Sequence, residues 1–101
     1  MISIVNLTEV LSVTRGRLGA RALAEIDQQM VDYSFEVASV SSSDLAHLRQ
    51  ALLDFGKGRR RPPAVLNFGD LFAYALAKRL GLPLLYKGDD FARTDVQPVP
   101  I

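Results

Sequence analysis

Leu66-Asn67-Phe68-Gly69-Asp70-Leu71-Phe72-Ala73-Tyr74-Ala75-Leu76-Ala77-Lys78-Arg79-Leu80, followed by Gly81-Leu82-Pro83-Leu84-Leu85-Tyr86-Lys87-Gly88-Asp89-Asp90-Phe91-Ala92-Arg93-Thr94-Asp95, decides how this chain is read. Asn67-x-x-Asp70 has the form of a helix start, with the acid favoured by the helix dipole. The apolar spacing behind it predicts a helix from about Phe68 to Leu80, with Leu71, Phe72, Ala75 and Leu76 inward. Gly81 and Pro83 stop that helix. Leu84-Leu85-Tyr86 then reads as a short strand without alternation, as a parallel strand covered on both faces would. A second short strand is expected near Val96 to Val99, confined to an edge by Pro98 and Pro100. Acids therefore stand at two element ends: Asp70 where the helix opens, and Asp89 and Asp90 where the strand closes.

Upstream, Asn6-Leu7-Thr8-Glu9 has the form of a capping box, which predicts a helix start near Asn6. Leu7, Val10, Leu11 and Leu18 share one helical face, and Gly16 and Gly19 stop or bend the helix. A second helix is expected over Ala20 to Val31, with Leu23, Ile26, Met30 and Val31 inward, and a short strand over Phe35 to Ser39. Ser43 or Asp44 suits the N-cap of a third helix whose inner face carries Leu45, Leu48, Leu52 and Phe55, and Gly56 closes it as a C′ residue. Lys57 to Ala64 is a basic, proline-containing loop. Helices alternating with short strands imply an α/β layer with a parallel sheet, whose ligand site lies beyond the carboxyl ends of the strands. Asp89 and Asp90 fall at that edge.

Composition narrows the chemistry. The chain has 101 residues, 49% of them hydrophobic, and a net charge of +1, enough for a single domain with a core and too balanced to favour or oppose nucleic acid overall. Four of its twelve cationic residues, Lys57, Arg59, Arg60 and Arg61, lie within five positions. The absence of cysteine excludes disulfide scaffolds, zinc fingers and thiol nucleophiles. His47 is the only histidine, so multi-histidine metal sites and histidine triads are excluded too. Carboxylate chemistry with an oxygen-loving divalent cation remains. The N-terminus has no signal-peptide pattern, and no run approaches a membrane span. Phe68 and Phe72, at helical spacing, are expected in the core, although Phe68, Phe72, Tyr74 and Tyr86 are all chemically able to stack bases.

The run from Asn67 to Asp95, preceded by Phe55-Gly56-Lys57-Gly58-Arg59, resembles the PIN-domain ribonucleases of the VapC type, the toxins of bacterial toxin–antitoxin pairs. The resemblance implies a PIN-like three-layer α/β/α fold with a short parallel sheet, and residues 1–101 as a single domain equivalent to the C-terminal two-thirds of the family domain. The resemblance also implies an N-terminally truncated version of that fold, because the family opens with an Asp-bearing strand that this chain does not show. The resemblance makes Glu9, Asp70 and Asp90 catalytic, with Glu9, Asp70, Asp89 and Asp90 as ligands to Mg²⁺ or Mn²⁺. Ile4-Val5-Asn6-Leu7-Thr8-Glu9-Val10 matches the family segment that supplies a metal-site Glu. Asp95 takes a structural role. Lys57, Arg59, Arg60 and Arg61 are the expected RNA phosphate contacts, which position RNA without reading its sequence.

The implied activity is a metal-dependent endoribonuclease, cytoplasmic, with RNA as substrate, a cognate antitoxin as partner, and a homodimeric assembly. A second reading is a catalytically inactive remnant that only binds an antitoxin or partner subunit, and a third is a start assigned too late in a longer ribonuclease. Loss of a central strand would leave an open sheet edge, so a marginally stable or self-associating chain is expected.

Overall fold

A computed structural model of the chain describes residues 1–56, 66–84 and 94–98. These fall into two compact units, Met1–Ser39 and Val40–Ile101.

The first unit runs β1 (Ile2–Ser3), α1 (Ile4–Leu18), α2 (Arg21–Asp32) and β2 (Val37–Ala38). The two strands pair in parallel, Ile2 with Val37 and Ser3 with Ala38. A parallel pair cannot be closed by a tight turn, and here the two helices make the crossover. The cap of helix α1 lies three positions earlier than the Asn6 reading placed it. Ser3 is the N-cap, and its Oγ accepts the Asn6 N–H at 3.1 Å. The helix also runs through Gly16 and closes only at Gly19, whose φ of 84° lies in the region glycine favours. Helix α2 matches its expected span within a residue, but Val31, expected inward, is 73% exposed. Between the helices and β1 lies an apolar groove of about 410 Å³ lined by Ile2, Leu7, Val10, Ile26, Met30 and Phe35, among others.

The second unit contains a 3₁₀ turn (Ser42–Asp44), α3 (Leu45–Phe55) and α4 (Phe68–Leu80). Asp44 is the N-cap of α3, one of the two residues expected there, although its side chain makes no capping bond to that helix; the turn before it has Ser41 as its N-cap. The Ser41 N–H donates to Asp44 Oδ2 at 3.0 Å, completing a capping box. The core is Ala51, Leu66, Leu71, Tyr74, Ala77 and Val96, with Leu48, Phe55 and Leu84 packed against it. The inner stripe of α3 is therefore Leu48, Ala51 and Phe55, displaced from the Leu45/Leu52 phase, and both of those leucines are exposed. Gly56 does end α3, but its φ is −73° and its backbone is extended. It is glycine because a Cβ there would sit 2.5 Å from the Leu52 carbonyl oxygen.

Helix α4 covers the expected residues and closes as expected. Gly81 is left-handed at φ 63°, and the Leu82 N–H reaches the Ala77 carbonyl at 3.1 Å, the pattern of a Schellman close. Its buried stripe departs from expectation: Tyr74 is buried, Phe72 and Leu76 are only half-buried, and Phe68 is 75% exposed. Beyond the helix, Leu84 pairs in parallel with Pro98, and the Leu84 N–H donates to the Gln97 carbonyl at 2.7 Å. Residues of both expected C-terminal strands thus do pair.

Candidate functional site

Asp70 sits in the first turn of α4, where the sequence Asn67-Phe68-Gly69-Asp70 closes a reciprocal box. The Asp70 N–H donates to Asn67 Oδ1 at 2.8 Å, and the Asn67 N–H donates to Asp70 Oδ2 at 3.1 Å. Two of the amides that a helix start leaves unpaired are satisfied in this way. The carboxylate is thereby fixed in orientation while Oδ1 stays outside the box. Leu71 behind it is buried in the core, and the Phe68 and Phe72 rings meet edge to face beside it with centroids 5.2 Å apart. Capping and ligation do not compete at this residue, because each can use a different oxygen.

Glu9 is not the acid of a capping box, contrary to the reading of Asn6-Leu7-Thr8-Glu9. Ser3 does the capping, and Glu9 lies in the second turn of α1. There the Asn6 side-chain amide donates to its Oε1 at 3.2 Å. Glu9 is exposed and its carboxylate is not spent on the helix start. Glu9 belongs to the first unit and Asp70 to the second. The other expected site residues, Asp89 and Asp90 for metal and Lys57, Arg59, Arg60 and Arg61 for RNA phosphate, lie outside the described residues, as does Tyr86. Among the described residues no three histidines, cysteines, aspartates or glutamates come together. The donor type nevertheless fits a hard divalent cation, which takes carboxylate oxygens and keeps several waters. Both Glu9 and Asp70 hold one oxygen in place by hydrogen bonding and leave the other outside that bond.

A polar cluster at the far end of α4 was not visible as such in the sequence. The Tyr74 hydroxyl donates to Asp95 Oδ1 at 2.6 Å, and Lys78 Nζ donates to Asp95 Oδ2 at 2.7 Å. Asp95 thus ties the segment ahead of Val96 to two successive turns of α4, the structural role expected of it. Tyr74 at the Leu71/Ala75 side of the helix and the acid of Arg93-Thr94-Asp95 were the available signals, since a buried phenol needs a hydrogen-bond partner. A second pair, Arg79 with Asp44, joins the last turn of α4 to the turn before α3. Asp44 is only 3% exposed.

The Tyr74–Asp95 bond has a pH signature. Burial, the hydrogen bond to Asp95 and the Asp95 charge push the Tyr74 hydroxyl well above the ordinary 10.0. Burial alone would raise Asp95. The hydrogen bonds from Lys78 and Tyr74 and the Lys78 charge outweigh it and hold Asp95 below 3.8. The Asp95 contribution to stability is therefore present above the ordinary carboxylate value and lost as pH falls through the lower folded one. The Tyr74 contribution is complete below pH 10.0 and is lost as pH rises through the raised folded value. Tyr74→Phe is expected to cost about 1.5–3 kcal/mol at neutral pH, the range for a hydrogen bond to a charged group. The stability gap between the two proteins should then narrow steadily above pH 10, because only the unmodified chain carries this linkage. Urea titrations of both proteins across the alkaline range would test this, and a constant gap would refute it.

Residues 1–97 match the PIN domain family. Ribonuclease VapC42 of Mycobacterium tuberculosis is 36% identical over 97 residues, covering 96% of this chain and 73% of the relative. Ribonuclease VapC30 of the same species is 36% identical over 101 residues, 100% of this chain and 76% of the relative. Ribonuclease VapC of Mycolicibacterium smegmatis is 39% identical over 98 residues, 97% of this chain and 74% of the relative.

Proposed function

Because this chain belongs to the PIN-domain ribonucleases of the VapC type, we propose that it is a divalent-metal-dependent endoribonuclease and the toxin of a toxin–antitoxin pair. The observation that carries the proposal is the start of α4, where a capping box orients the Asp70 carboxylate while leaving one of its oxygens outside the box. Residues 1–101 act as one PIN-like domain in this reading. Glu9, Asp70 and Asp90 are catalytic, with Asp89 as a further metal ligand. Lys57, Arg59, Arg60 and Arg61 contact RNA phosphates. The substrate is RNA, the protein partner a cognate antitoxin, and the working form a cytoplasmic homodimer. Among the described residues no helix is long and apolar enough to cross a membrane.

Asp70 would hold Mg²⁺ or Mn²⁺ together with Glu9 and the acids after Tyr86. When bound, such an ion lowers the pKa of a coordinated water and stabilises charge on phosphodiester oxygens. The chain's own contribution is orientation. The Asn67 amide fixes one Asp70 oxygen, so the ligating oxygen is placed by the helix start rather than by a free rotamer. The Asn6 amide holds Glu9 in the same manner.

The test is cleavage of RNA by the purified chain with Mg²⁺ or Mn²⁺, run beside an EDTA control and Glu9→Gln. Cleavage is expected only with the cation, and Glu9→Gln should lower it by about tenfold or more, at least the loss that changing a partner of a metal ligand brings. Absence of cleavage in every condition would reduce the chain to a binding protein.

A further inference from the structure

We infer that the corner between α1 and α2 is a second RNA-backbone contact, formed by Arg15, Arg17 and Arg21, and separate from the Lys57–Arg61 run. The inference rests on the ribonuclease reading above. These are the only three cationic side chains in the first unit, which also carries Glu9, Glu25, Asp27, Asp32 and Glu36. No acid occurs between Glu9 and Glu25, so the positive charge is segregated into one seven-residue window of an otherwise acidic unit. All three are exposed, and no ion pair within the described residues engages them. The corner itself is pinned. The Gly19 N–H donates to the Arg15 carbonyl at 3.0 Å and the Ala22 N–H to the Gly19 carbonyl at 3.3 Å. The backbone that carries the arginines on either side of Gly19 is therefore fixed, although Arg15 and Arg17, two residues apart on α1, leave the helix on different sides.

Helix energetics account for part of this pattern. Arg15 and Arg17 lie in the last turn of α1, where cations complement the dipole. Arg21 is the first residue of α2, where the dipole opposes a cation and the first turn holds no acid; Glu25, four residues on, is in the less favourable order for an ion pair, and no ion pair joins the two. Local stability gives no reason for arginine there, whereas a ligand carrying negative charge does. All three are arginine, whose planar fork matches phosphate in two-point contact. The corner residues Thr14, Gly16, Leu18, Gly19 and Ala20 include no aromatic ring on which a base could stack. The surface therefore suits the phosphate chain of RNA and not its bases.

Fluorescence anisotropy of a labelled single-stranded oligoribonucleotide, in EDTA and over a range of salt, reads this directly. The triple variant Arg15→Gln/Arg17→Gln/Arg21→Gln is expected to flatten the slope of log affinity against log salt by about two, from roughly 0.7 per lost phosphate contact. Arg15→Lys/Arg17→Lys/Arg21→Lys should restore most of the slope, which also answers any loss of folding in the glutamine variant. An unchanged slope, in a protein whose unmodified form binds and cleaves RNA, overturns the corner contact and leaves the ribonuclease reading intact. An unmodified chain that neither binds nor cleaves overturns both. Loss of binding to polyglutamate with unaltered RNA binding would assign the corner to an acidic protein and overturn the inference.

Discussion

Asp70→Asn is expected to abolish RNA cleavage, by about a hundredfold or more, while leaving the protein folded and almost equally stable. The size follows the loss of a single electrostatic contact in other active sites. The separation follows from the box at the start of α4. Asparagine keeps a side-chain oxygen able to accept the Asn67 N–H now bound to Asp70 Oδ2 at 3.1 Å, so the cap survives. What disappears is the charge, which matters little to the helix, about 0.3–1 kcal/mol, and greatly to a divalent cation. Asp70→Ala removes the charge and the reciprocal half of the box, keeping the Asn67 cap on the residue-70 amide, and should lower stability by about 0.5–1.5 kcal/mol as well. Cleavage assays and thermal melts of both variants together check the claim. Cleavage by Asp70→Asn within twofold of the unmodified chain would show that Asp70 is a capping residue alone.

The largest effect on stability is expected at Arg79. Asp44 is buried, accepts the Ser41 N–H at 3.0 Å, and receives the Arg79 guanidinium on its other oxygen. Arg79→Met would leave that buried carboxylate without its charged partner. Breaking a buried pair in this one-sided manner costs about 3 kcal/mol or more, a large part of the roughly 5–15 kcal/mol that holds a domain folded. For a chain of this size the melting temperature should fall by about 12 °C or more. Asp44→Asn/Arg79→Met removes both charges and should recover much of the loss, since replacing both members of such a pair is often neutral. Urea unfolding of the single and double variants measures the coupling. A single variant less than about 1 kcal/mol below the unmodified chain would mean that the pair is solvated in solution.

Much of α4 is legible in the sequence, and the reasons are local. Asn67, Asp70, Gly81 and Pro83 each act on the backbone within a turn of themselves, so the helix and its caps could be read directly. The same locality misled at α1. Asn6 and Glu9 mimic a capping box, but Ser3 reaches the same amide first because β1 delivers it there by pairing with β2, a contact more than thirty residues away in sequence. The inner stripes of α3 and α4 shifted for a related reason. Periodicity ranks side chains by polarity, and Tyr74 became core only because Asp95 supplies its hydroxyl with an acceptor. Of the expected site, Glu9 and Asp70 could be read for their local geometry, while the meeting of carboxylates depends on tertiary placement that no spacing encodes.

Pro98 has a consequence for how the protein behaves at high concentration. It pairs with Leu84 while lacking an N–H of its own, so the bond that closes this contact comes from the Leu84 amide to Gln97. An extended strand from another molecule, seeking to add alongside residue 98, would find an acceptor there but no donor. Proline at a sheet margin is a common way for natural proteins to interrupt intermolecular strand addition. This margin is therefore a poor template for fibril growth, whatever else in the molecule associates.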